Sequence, residues 1–134
     1  DVSDLDNNPN PINSNFSHGT HVVGILSAVS NNNIGIASPS NNRIKIIPVK
    51  ATPDNGLPNG IYHGYEGITW AADNGAKIIS LSWGGAGFSQ SEQDVINYAV
   101  SQGAIIVAAA GNDNTNFEHF PSAYQNVIAV ASLD

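Results

Sequence analysis

The segment Ala104-Ile105-Ile106-Val107-Ala108-Ala109-Ala110 constrains the fold more than any other stretch of this chain. It is apolar from end to end and runs straight into Gly111-Asn112-Asp113-Asn114. A strand with one wet face alternates apolar and polar residues. An uninterrupted apolar strand needs cover on both faces, which is the habit of parallel sheets layered between helices. Three other stretches read as strands: Arg43 to Lys50, with Ile44, Ile46, Ile47 and Val49 and an expected end or irregularity at Pro48; Lys77 to Trp83; and Val127 to Ala131.

Helical patterns fall between them. Val22, Ile25, Leu26 and Val29 give one apolar face to a helix expected from His18 to Val29. Ile61, Tyr65, Ile68 and Ala72 do the same for a second helix, closed by Asn74-Gly75. Ser89-Gln90-Ser91-Glu92 has the form of a capping box, in which the serine side chain and the glutamate satisfy each other's backbone N–H groups. It opens a third helix with Val95, Ile96, Ala99 and Val100 inward and Gly103 at its end. Helix and strand alternate with short connections, so the expected fold is a three-layer α/β/α arrangement with a mostly parallel sheet and right-handed crossovers. Residues 1–17, rich in Asp, Asn and Pro, form an irregular acidic segment with no calcium-loop spacing.

Composition removes several functions. With 134 residues the chain fits one domain. A net charge of −7, with only Arg43, Lys45, Lys50 and Lys77 to meet phosphates, argues against nucleic acid as a partner. No apolar run is long enough to cross a bilayer, so no membrane role is expected. The absence of cysteine excludes disulfides and thiol catalysis. A chain that starts Asp1-Val2 and holds no methionine is expected to be a processed product or a piece of something larger.

Two places carry candidate chemistry. In Ser17-His18-Gly19-Thr20-His21-Val22-Val23-Gly24 an imidazole stands where a loop becomes a helix. His18 suits proton transfer, since an unperturbed imidazole titrates at about pH 6.5. A His18-x-x-His21 metal pair is the rival reading, but it lacks a third ligand. In Ala109-Ala110-Gly111-Asn112 an amide follows a dry strand, although Gly111-Asn112-Asp113-Asn114 is also an ordinary turn by composition. Gly85-Ala86-Gly87-Phe88-Ser89-Gln90 lies between a strand and a helix but lacks the third glycine of a dinucleotide loop. Asn15-Phe16-Ser17 matches a glycosylation sequon, as a chance match would.

The histidine stretch and the Ala108-Ala109-Ala110-Gly111-Asn112 stretch, in that order, resemble the histidine motif and the oxyanion-hole segment of subtilisin-like serine proteases. The resemblance runs along nearly the whole chain and implies that residues 1–134 are the central part of one subtilisin-like peptidase domain. It implies His18 as general base and Asn112 as donor to the oxyanion, both converging on one peptide carbonyl. Ser82, Trp83 and Gly84, facing Ala109, Ala110 and Gly111, would line the pocket for the residue before the cut, with substrate backbone adding as a strand. Asp113 and His119 fall where the family shapes the pocket floor; a carboxylate there would favour a basic or polar side chain. Leu57-Pro58-Asn59-Gly60 takes the place of the opposite substrate-flanking segment but lacks the usual glycine pattern. Phe120-Pro121 matches an aromatic-Pro pair that is cis in the family.

The resemblance also implies a structural calcium ion held by Asn32 and the carbonyls of Ile34 and Ile36, although the loop carries one extra residue and lacks an acidic ligand upstream. Secretion and a polypeptide substrate are implied in the same way. The family's aspartate motif is expected before residue 1 and its serine motif after residue 134. None of Asp1, Asp4 or Asp6 and none of the serines stands in those contexts. The isolated chain is therefore expected to be inactive, its unpaired face covered by the remaining segments of the protease or by a second copy. A non-catalytic peptide-binding or assembly module derived from a degenerate protease is the alternative.

Overall fold

A computed structural model describes residues 1–11, 15, 17–57 and 60–133 and divides them into two units, Ser3–Tyr62 with Asp1, and His63–Asp134 with Val2. The sequon at residues 15–17 and the segment at residues 57–60 each include positions outside the described residues.

In the first unit, α1 (His18–Ser27) is the only helix among the described residues, and no strand forms there. None of its residues is buried. The expected strand from Arg43 to Lys50 does not form: among the described residues this stretch pairs with no other, and Ile44 and Ile47 are exposed. β-branched residues supply strand propensity, but a strand exists only through a partner's hydrogen-bond ladder. The acidic segment is held by its own side chains and by Lys50. Asp1 Oδ1 accepts the N–H groups of Ser3 and Asp4, and the Lys50 ammonium sits 3.2 Å from Asp1 and 2.9 Å from Asp4, with Asp54 also in contact.

The second unit carries the sheet. α2 (Gly64–Asp73) leads to β1 (Ile78–Leu81), α3 (Gln90–Ser101) to β2 (Ile105–Ala109), and a loop to β3 (Val127–Val130). The strands are parallel in the order β1-β2-β3, with Ile79 beside Ile106 and Ile106 beside Val127. This is the expected α/β fold in incomplete form. Both helices end as Asn74-Gly75 and Gly103 predict: the N–H of Gly75 bonds to Ala72 and that of Ala76 to Ala71, and Gly103 and Ala104 repeat the pattern on Val100 and Ala99. α2 and α3 pack on each other and on one sheet face, burying Ile68, Ala72, Ile96, Ala99, Ile79, Leu81, Ile106 and Ala108. Each fully buried isoleucine contributes roughly 1.5–3 kcal/mol.

The opposite face is open. Strand alternation places Ile78, Ile105, Ile128 and Val130 on it, and these are 66%, 52%, 53% and 52% exposed. The apolar character of residues 104–110 thus anticipates two helical layers, of which this unit builds one.

The start of α3 departs from the capping box. Ser89 makes no side-chain cap bond, and its N–H goes to the Tyr124 hydroxyl at 3.1 Å. That hydroxyl donates to Glu92, the residue expected to reach back to Ser89. One buried phenol has replaced a local pair. Gln93, buried, extends the tie: its Oε1 accepts the Gln125 N–H at 2.9 Å and its amide donates to the Gln125 carbonyl.

Burial and the hydrogen bond to Glu92 both push the Tyr65 phenol up, and the same two causes raise Tyr124. A free tyrosine ionises at about pH 10. Above that value the unfolded chain releases these protons while the folded chain retains them, so stability is full below about pH 10 and declines as pH rises further. Thermal unfolding followed by circular dichroism should show a steeper fall in Tm between about pH 9 and 11 for the wild type than for a Tyr65→Phe, Tyr124→Phe double variant. Equal slopes would contradict the assignment.

Candidate active site

The two expected walls of the substrate pocket lie in the second unit, at the carboxyl ends of neighbouring parallel strands. Ser82, Trp83 and Gly84 follow β1, and Ala109, Ala110 and Gly111 end or follow β2, with Leu81 in register with Ala108. Ligands of open parallel sheets bind at this end because the strand-to-helix turns leave a crevice there. The second wall is stiffened from behind, since the Ala110 N–H bonds to the Val130 carbonyl at 2.9 Å. The first is fixed by Trp83, whose ring meets Tyr65 edge-on at 5.4 Å, and by a two-residue antiparallel bridge in which Gly85 and Phe120 exchange both backbone bonds at 2.8 Å.

That bridge sets His119 in place. A Cβ built on Gly84 would stand 2.4 Å from His119 Cε1 and 2.4 Å from the Phe120 carbonyl oxygen. A Cβ on Gly111 would stand 3.2 Å from the same ring. Gly111 also has φ of +97°, where side chains are strained. Glycine is thus required at both strand ends, by the imidazole that touches them. His119 Nδ1 is buried and has no hydrogen-bond partner among the described residues. The peptide between Phe120 and Pro121 is cis, as expected.

Asn112 and Asp113 are exposed in the loop after β2. His18 lies in the first unit, exposed, as the opening residue of α1, and the His21 N–H bonds to the Ser17 carbonyl at 3.0 Å. The structure therefore brings together residues 82–84, 109–111 and 119, with Asn112 next in the chain. Sequence reading placed His119 on the pocket floor but missed its contact with both glycines. The missing signal is a pairing across the long gap between Gly85 and Phe120, which no local pattern carries.

The candidate calcium loop follows α1. Asn31, Asn33 and Gly35 have φ of 63°, 59° and 64°, and Asn32 Oδ1 accepts the Ile34 N–H at 3.1 Å. Asn32 and the carbonyls of Ile34 and Ile36 are neutral oxygens, the donor type calcium takes, but they supply three of about six to eight ligands. Among the described residues no group of three or more His, Cys, Asp or Glu side chains could hold a metal ion. A cavity of about 300 Å³ is lined by Phe88, Gln93, Asn97, Glu118 and Phe120 among others.

The family model of the subtilases (Peptidase_S8) matches residues 1–134. Thermitase of Thermoactinomyces vulgaris is 44% identical over 131 residues, covering 97% of this chain and 46% of that protein. The halolysin-like extracellular serine protease Nep of Natrialba magadii is 40% identical over 134 residues, covering all of this chain and 24% of that protein. Fervidolysin of Fervidobacterium pennivorans, a keratinolytic enzyme related to subtilisin, superposes with a TM-score of 0.71 at 37% identity, covering 85% of this chain and 18% of that one. The chain thus spans less than half the length of the curated relatives it matches.

Proposed function

We propose that this chain, which belongs to the subtilase family, is the central part of a peptidase domain whose complete form is a secreted serine endopeptidase. One observation carries the reading: Gly84 and Gly111, at the carboxyl ends of adjacent parallel strands, contact one imidazole, and the second leads directly into Asn112. An extended peptide can approach two such glycine-bearing edges closely, adding its backbone to Ser82-Trp83-Gly84 as a strand.

His18 is the general base. It takes the hydroxyl proton of a serine as the oxygen attacks the scissile carbonyl, then returns that proton to the leaving amine. The Asn112 side-chain N–H donates to the oxygen on which negative charge develops. The serine, and the aspartate that orients His18, come from outside these 134 residues, so the 134-residue chain alone is inactive. The remaining segments of the same domain cover the open sheet face, whose exposed isoleucines would otherwise bring two copies together. Asn32 and the carbonyls of Ile34 and Ile36 would be this chain's ligands to a calcium ion, which would stiffen the loop after α1. Adding a chelator should lower the Tm of the full-length protein, and Asn32→Ala should blunt that response; a Tm indifferent to chelator removes the ion from the account.

A serine-directed phosphonate probe tests the catalytic reading. The full-length protein should be labelled and its His18→Ala variant should not. Failure of the wild type to label, with the protein folded, would favour a non-catalytic peptide-binding module.

A further inference from the structure

From the seat of its ring, we infer that His119 truncates the subsite for the side chain preceding the cut, so that the protease takes short residues there: Gly, Ala or Ser. The inference rests on the endopeptidase reading and adds what that reading leaves open, the class of substrate.

A side chain entering from the carboxyl edge of the sheet passes between residues 82–84 and residues 109–111. The imidazole occupies that gap. It lies so close to Gly84 that a single added carbon would overlap it, and a Cβ added to Gly111 would press on it at 3.2 Å. Its position is set from its own backbone as well as by the walls. The Gly85–Phe120 bridge clamps the next residue, the His119 carbonyl accepts the Ala123 N–H at 2.9 Å, and the Ser122 hydroxyl donates to the same oxygen. Swinging the ring aside would give up its packing against both glycines. A phenyl or long aliphatic group meets this filled space, whereas a methyl or hydroxymethyl group stops short of it.

The buried Nδ1 sharpens the point. Among the described residues it has no hydrogen-bond partner, so packing against the two glycines, and no bond at that nitrogen, sets the place of the ring. Asp113, by contrast, is exposed in the loop and belongs to neither wall. The geometry therefore selects for size, and not for the basic residue that a carboxylate on the floor would attract.

The test is the hydrolysis, by the full-length protein, of a peptide series differing only in having Ala, Phe or Lys before the cut. Wild type should show kcat/KM for Ala exceeding that for Phe and for Lys by about tenfold or more, since a misfit of even one methylene discriminates by roughly 10–200-fold. His119→Gly should move the Phe-to-Ala ratio toward Phe by about tenfold or more. The sites cut in denatured casein by the wild type, read by mass spectrometry, should carry the same preference and require no variant to fold. Equal cleavage after Phe or Lys in the wild type would overturn the inference while leaving the protease reading intact. So would an unmoved ratio in a folded His119→Gly protein. Absence of hydrolysis on every peptide would remove both.

Discussion

Replacing His18 by alanine in the full-length protein is expected to lower kcat on peptides by about 10⁶, with little change in KM. That magnitude is borrowed from the general-base histidine of a subtilisin, a relative within the same family. Without the base the serine hydroxyl keeps its proton and is a poor nucleophile at neutral pH. Binding should survive, because the imidazole acts in the transition state and holds none of the ground-state substrate. A merely structural histidine predicts a different outcome. His18 is exposed at the first position of a helix with no buried residue, so its truncation should change stability by about 0.5 kcal/mol or less. Full activity with an altered Tm would contradict the assignment; lost activity with an unaltered Tm is the result expected, and circular dichroism beside steady-state kinetics distinguishes them.

Asn112→Ala should cost about 10²–10³ in kcat, again with KM nearly unchanged. This range, too, is that of an oxyanion-hole asparagine in a subtilisin. In the proposed role the amide donates to an oxygen that becomes negative only as the tetrahedral intermediate forms, so its loss would raise the barrier without weakening binding. Asn112→Asp should fare no better, since a carboxylate accepts where a donor is needed and repels the developing charge. As a plain turn residue, exposed after β2, Asn112 would give alanine variants with normal kcat. Steady-state kinetics on a single chromogenic peptide separates the two.

Much of this was legible in the chain because it is written locally. Ile68, Ala72, Ile96 and Ala99 lie at helical spacing and are buried, and both helices stop at their glycine signals. Ile79, Leu81, Ile106 and Ala108 alternate onto the covered face of a parallel sheet. Features that depend on distant partners were not legible. Arg43 to Lys50 has strand composition but, among the described residues, no strand beside it, and the second apolar face of β2 has no described helix over it in its unit. Glu92 reads as a capping residue from its neighbours alone, yet its partner is Tyr124. His119 carries no motif of its own, and only the bridge between Gly85 and Phe120 brings it against both glycines.

In the proposed mechanism two groups act on one carbonyl, and a crystal structure of the full-length protein bonded to a peptidyl phosphonate measures this directly. The phosphonyl oxygen should lie about 2.7–3.1 Å from the Asn112 side-chain nitrogen. The His18 imidazole should stand within hydrogen-bond reach of the serine oxygen that carries the adduct. An adduct whose oxygen is bound by other donors, with His18 turned to solvent, would contradict it.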